Sequence, residues 1–161
     1  MRTSHLEALL CTTSLGKARK LLIVSCSATK DPEAKDIPAI LRYSGEVFLI
    51  LKSIISNSLW PQHIDLIIVS AKFGLLNPLD KIPYYDEALK MERISFLKKM
   101  IKAQVKTLDL THYSESFMNL SKRYFQSIEG LIDVLEKLNC NIIQVEREKR
   151  NNAMLAWLVH D

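Results

Sequence analysis

Lys20-Leu21-Leu22-Ile23-Val24-Ser25-Cys26-Ser27 decides the fold. A short apolar run bounded by polar residues has the length and character of a β-strand buried on both faces. Ile64-Asp65-Leu66-Ile67-Ile68-Val69-Ser70 repeats the pattern. Between the two, Val47, Phe48, Leu51, Ile54, Ile55 and Leu59 recur at helical spacing behind Ser44-Gly45-Glu46, which offers a cap and a first-turn acid. Strand, helix, strand in that order implies a parallel pair with a right-handed crossover.

Outward from this unit the pattern turns helical. Ile94, Leu97, Ile101, Val105 and Leu108 make one apolar face. Phe117, Leu120, Tyr124, Ile128, Leu131, Leu135 and Leu138 make a second, longer stripe, with Gly130 as a break between two shorter helices. Asn141–Glu146 reads as a strand, Asn151–Leu158 as a capped terminal helix, and Lys106–Leu110 as a further short strand. Before the first strand, His5–Leu10 forms a short helix that Thr12–Gly16 ends. The expectation is an α/β fold: residues 1–19 as an N-terminal extension, then a single domain over 20–161. That domain holds a three- to four-stranded, mostly parallel sheet with helices on both faces.

Composition narrows the class. The chain has 161 residues, 48% hydrophobic and 25% charged, which is globular and excludes a disordered or collagen-like polymer. The net charge of +4 permits a nucleic-acid partner without arguing for one. Three widely spaced cysteines (Cys11, Cys26, Cys140) form no C-x-x-C pair, and His5, His63, His112 and His160 are scattered. No metal site and no cofactor are expected, and the thiols fit a reducing cytoplasm. The sequence carries no membrane-length apolar run and no signal-peptide core, so a cytoplasmic protein with no membrane partner is expected.

Ligands of open parallel sheets collect at the carboxyl ends of the strands, where backbone N–H groups are unpaired. Both strong strands end in small polar residues and a lysine: Ser25-Cys26-Ser27-Ala28-Thr29-Lys30 and Ser70-Ala71-Lys72-Phe73-Gly74. Hydroxyls donate hydrogen bonds, small residues let a ligand approach, and an ammonium balances an anion. Neither segment has P-loop spacing. After them, Pro83-Tyr84-Tyr85-Asp86 stiffens a loop whose tyrosines can stack on a base or sugar, with Asp86 as an acid, base or charge stabiliser.

These segments carry a resemblance. Ser25-Cys26-Ser27-x-x-Lys30, Tyr43-Ser44-Gly45, Ser70-Ala71-Lys72-Phe73-Gly74-Leu75-Leu76 and Pro83-Tyr84-Tyr85-Asp86 resemble an uncharacterised bacterial and phage domain family. That family reads C-S-x-x-K, Y-x-G, S-A-K-[YF]-G-L-L and P-Y-[ED]. The same order is distantly similar to the YaaA proteins of the peroxide stress response, with Asn77 and Tyr85 where those carry arginine. The resemblance spans about residues 20 to 90 and implies DNA binding in a stress response.

Two readings follow. In the first, Ser25, Cys26, Ser27, Lys30, Ser70 and Lys72 hold the phosphate of a nucleotide, nucleoside or nucleic acid. Gly45 and Gly74 shape the approach, Tyr43 and Tyr84 flank the base or sugar, and Asp86 with Lys30 supports N-glycosidic bond chemistry. In the second, a non-catalytic DNA- or RNA-binding stress protein uses the stripe of Lys98, Lys102 and Lys106. Cys26 reads most simply as an inert buried thiol. Surplus apolar surface on the 117–138 helical region would serve as a homodimer face.

Overall fold

A computed structural model describes Leu6 and residues 18–160. The remainder of the expected 5–10 helix and its 12–16 terminator lie outside the described residues, although Leu6 is helical and buried. The strands are β1 (Arg19–Ser25), β2 (Ile37–Pro38), β3 (Ile64–Ser70), β4 (Gly74–Leu76), β5 (Lys81–Ile82), β6 (Tyr113–Asn119) and β7 (Asn141–Gln144). The helices are α1 (Ala39–Arg42), α2 (Glu46–Ser56), α3 (Met91–Val105), α4 (Lys122–Ser127), α5 (Glu129–Lys137) and α6 (Arg150–Val159).

Among the described residues the main sheet has five strands in the order β4-β3-β1-β6-β7, parallel except for the antiparallel edge strand β4. β2 and β5 pair separately as a two-stranded ribbon. The architecture is α/β and mostly parallel, with more strands than the sequence pattern offered.

β1 sits at the centre, and its alternation builds both halves of the core. Leu22 and Val24 point into one cluster with Phe48, Leu51 and Ile55 of α2 and Met154 and Leu158 of α6. Leu21 and Ile23 point into the other with Leu97 and Ile101 of α3 and Leu131 and Leu135 of α5. All four β1 side chains are fully buried. At about 1.5–3 kcal/mol each, this one strand contributes at least about 6 kcal/mol of burial.

Three expectations are corrected. The Phe117–Leu138 stripe divides into two shorter helices as expected, but it is not helical throughout: Phe117 belongs to β6, and the helices begin only at Lys122 and Glu129. The break falls at Ile128, two residues before Gly130. Lys106–Leu110 is not a strand; the chain turns there after α3 and the strand starts at Tyr113. The stripe's side chains are buried within the chain, except half-buried Tyr124 and Leu138, which is 37% exposed. Finally, α2 has Gly45 at its cap with no side-chain cap of its own. The N–H groups of Ser44 and Gly45 donate instead to Ser27 Oγ, at 3.3 and 3.1 Å.

Candidate functional site

The parallel pairing of β1 and β3 runs from Lys20↔Ile64 to Ser25↔Val69, so both lysine-bearing segments leave the sheet at the same end. Lys30 pairs back to Tyr43 in an isolated antiparallel bridge. Its Nζ stands 4.6 Å from the ring centroid of Tyr85, and Lys72 Nζ stands 5.6 Å from that same centroid. The two ammonium groups therefore lie within about 10 Å of each other. Among the described residues neither has a carboxylate partner; Lys30 donates only to the Ala28 carbonyl, at 3.2 Å. At an effective dielectric of 20, two such charges repel by about 1–2 kcal/mol, which an anion between them removes.

Beneath the lysines runs a chain of buried hydroxyls. Tyr43 Oη and Tyr85 Oη are 2.5 Å apart, and Ser70 Oγ is 3.0 Å from Tyr85 Oη. Ser70 Oγ also accepts from the Lys72 and Phe73 N–H groups, both at 3.2 Å. With both lone pairs engaged, Ser70 must donate to Tyr85. Three hydroxyl protons serve two hydroxyl–hydroxyl contacts, so one phenolic proton has no acceptor in the trio. Burial pushes Tyr43 up to about 12, with Cys26 adding to the rise, and pushes Tyr85 still higher. Near neutral pH these phenols are neutral donors. The groups gathered here are ammoniums and proton donors, which suits an anion.

Beside this patch, the end of β1 and the start of α4 border a half-open cavity of about 240 Å³ lined by Cys26, Ala28, Leu89, Arg123 and Tyr124 among others. Cys26 Sγ is 3.1 Å from Tyr124 Oη. Cys26 is half-buried and hydrogen-bonded rather than sealed in the core, which corrects the expectation of a buried thiol. The phenol of Tyr124 is raised by burial first and by Cys26 second.

Other sequence-derived candidates have different places. Ser27 Oγ accepts two backbone N–H groups and donates to the Thr29 carbonyl at 2.6 Å, so its hydroxyl ties the loop to α2. Gly45 permits that contact: a Cβ there would sit 2.6 Å from Ser27 Cβ. Gly74 has φ +73° and packs against Gln104 and Met100, shaping the turn into β4. Ser25 is half-buried at the end of β1. Tyr43 is fully buried and is linked to the site only through the contact of its hydroxyl with Tyr85, so it cannot flank a ligand.

Residues 83–90 belong to no regular element, and burial alternates along them, with Tyr85 and Leu89 buried between exposed neighbours. Tyr85 turns inward while Tyr84 and Asp86 turn out. Tyr84 is 51% exposed with its ring 6.0 Å from the Arg42 guanidinium. Asp86 is exposed and lines a separate depression of about 300 Å³ with Lys90 and Arg93. It is not among the side chains that meet the lysines. On α3, Lys98 is paired with Glu129 at 2.7 Å, whereas Lys102 and Lys106 are exposed.

Sequence reading missed the roles of Tyr85, Tyr124 and Arg42. Arg42 is fully buried, and its guanidinium donates to the carbonyls of Asp31, Glu33, Lys35 and Ile82. It pins the loop that follows Lys30. A basic residue closing a four-residue helix gives no such signal.

A larger cavity, about 440 Å³, opens on the edge of the sheet between β3, β4 and the end of α3. Its charged lining is Asp65 and Asp80. Asp65 is already held by Arg19 and by Tyr113 Oη at 2.8 Å, and Asp80 caps the Asn77 N–H at 2.8 Å. Carboxylates without a free cation disfavour an anion, so size does not make this the site. Among the described residues no cluster of side chains suits a metal ion, and no helix is long and apolar enough to cross a membrane.

No curated protein matches the sequence. A model of a family of unknown function, DUF6884, matches residues 21–160, from the third residue of the central strand to the residue after α6; the chain belongs to that family.

Proposed function

We propose that the rim at the carboxyl ends of β1 and β3 binds the phosphate group of a nucleotide-type ligand between Lys30 and Lys72. The observation that carries this is the pair of ammonium groups over one Tyr85 ring, neither with a carboxylate partner. Cation–π contact at about 0.5–1 kcal/mol each orients the lysines without neutralising them, so they keep their charge for a ligand. The reading is of binding; the outward placement of Asp86 gives N-glycosidic bond chemistry no support.

Isothermal calorimetry with the four common nucleoside monophosphates tests it. Lys30→Ala and Lys72→Ala should each weaken binding at least tenfold, and binding that survives both substitutions unchanged refutes the proposal. The alternative, backbone-led binding of DNA or RNA, would draw on exposed Lys102 and Lys106. It would appear as oligonucleotide affinity that falls steeply with salt and responds to those two residues instead.

A further inference from the structure

The Cys26–Tyr124 cavity shares Ala28 with the lysine patch: Ala28 lines the cavity, and its carbonyl accepts from Lys30 Nζ. One ligand can thus reach both. Whole ligands of drug size occupy cavities of about 300–1,000 Å³, so about 240 Å³ holds a part rather than the whole.

The lining says which part. One side is the thiol of Cys26 against the phenol of Tyr124, and another is the methyls of Ala28 and Ala88 with Leu89. Sulfur and an aromatic face are soft and polarisable and favour a flat ring. Arg123 stands at the same cavity with one NH group donated to the Leu89 carbonyl at 3.2 Å, and a guanidinium plane stacks on a ring as well. Glu87, also in the lining, is neutralised by Arg93 at 2.9 Å. A cation placed here would face Arg123 with no unpaired carboxylate in the lining, whereas a neutral heteroaromatic ring meets apolar walls, a guanidinium plane and a hydrogen-bonding thiol–phenol pair.

We infer that this cavity is the ring subsite beside the proposed phosphate site. The ligand is a phosphate monoester whose organic part ends in a neutral heteroaromatic ring lodged against Cys26 and Tyr124. The inference rests on the lysine reading for the phosphate end. Its test compares the four common nucleoside monophosphates, adenosine, ribose 5-phosphate and inorganic phosphate. Calorimetry measures affinity, and peptide mapping follows the rate at which iodoacetamide alkylates Cys26, where the S–C bond forms, iodide leaves and the thiol proton passes to solvent.

At least one nucleoside monophosphate should bind tenfold or more tighter than ribose 5-phosphate and slow Cys26 alkylation at least fivefold. Ala88→Trp, at an exposed rim position, should bring that affinity down to the level of ribose 5-phosphate. Equal affinities for ribose 5-phosphate and all four monophosphates, with Cys26 alkylated at one rate throughout, overturn the ring subsite. The lysine reading then stands if Lys30→Ala abolishes binding of them all. Protection of Cys26 by adenosine as good as by its monophosphate, with no effect of Lys30→Ala, supports the ring subsite and removes the phosphate reading.

Discussion

Removing the Tyr85 hydroxyl strands two others. Tyr85→Phe leaves Ser70 Oγ without an acceptor for its proton and Tyr43 Oη without a partner, both fully buried. An unsatisfied buried polar group costs about 1–3 kcal/mol, so urea denaturation should show a loss in that range. Alkali probes the same groups. Tyr43 rises from 10.0 to about 12 on folding, because burial penalises the phenolate. A group with a raised folded value gives stability that is complete below pH 10 and is lost as pH climbs toward 12. Tyr85, Tyr113 and Tyr124 shift the same way, chiefly through burial. Stability measured from pH 7 to 11.5 should be flat at first and then fall from about pH 10, at up to about 1.4 kcal/mol per pH unit for each group. Tyr43→Phe should make the fall shallower; an unchanged alkaline limb would show that Tyr43 is not held protonated. The lysines were legible because a strand end needs only a run and its last residues. Tyr85 was not, since choosing it over Tyr84 requires knowing which side of the loop faces the sheet.

At the level of elements, β4 depends on one side chain of α3. Gln104 Oε1 accepts from Leu75 N–H at 2.8 Å, and its amide donates to the carbonyls of Phe73 and Leu75. The amide thereby occupies the hydrogen-bonding groups of an edge strand that would otherwise be open. Gly74→Ala places a methyl on that amide and forces an L-residue to φ +73°. A loss of about 2 kcal/mol or more is expected, read by thermal unfolding, of which about 1–2 kcal/mol is the left-handed backbone itself. Ser116 in β6 offers the opposite sign. Among the described residues its buried hydroxyl has no hydrogen-bond partner, so Ser116→Ala should be neutral or stabilise by up to about 1 kcal/mol, and a clear loss would mean the hydroxyl is satisfied. β6 also shows why part of the sheet was hidden. A strand buried between β1 and β7 is expected to be an apolar run, yet Tyr113-Ser114-Glu115-Ser116-Phe117-Met118-Asn119 alternates polar groups through it. Trp157 Nε1 and Lys20 bind Glu115, and Asn119 donates to Asn151 and lies against Met154 Sδ. Tertiary partners from α6 make these polar residues fit, and no local pattern announces them. In β1 and β3 an unbroken apolar run outweighs the few polar residues that need partners, Asp65 with Arg19 and Tyr113 and Lys20 with Glu115, which is why their sequences read plainly.

At the scale of the whole molecule, the sheet gathers chain segments remote in sequence at one rim. Cys26 and Tyr124 meet across 98 positions, and Tyr43 and Tyr85 across 42. β1 lies between β3 and β6, so the loops after all three open on the same side, and the 83–90 segment lays Tyr85 and Leu89 under them. Gly45 fixes how closely α2 approaches the first of those loops, so Gly45→Ala should loosen Lys30 as well as lower stability. The central claim is that Lys30 and Lys72 form one phosphate site. Calorimetric titration of nucleoside monophosphates into the wild type, each single alanine variant and the double variant measures it most directly. The double variant should lose little more than either single one, because a bridged phosphate is lost with either ammonium. Additive small losses, or binding indifferent to both lysines, would contradict the claim.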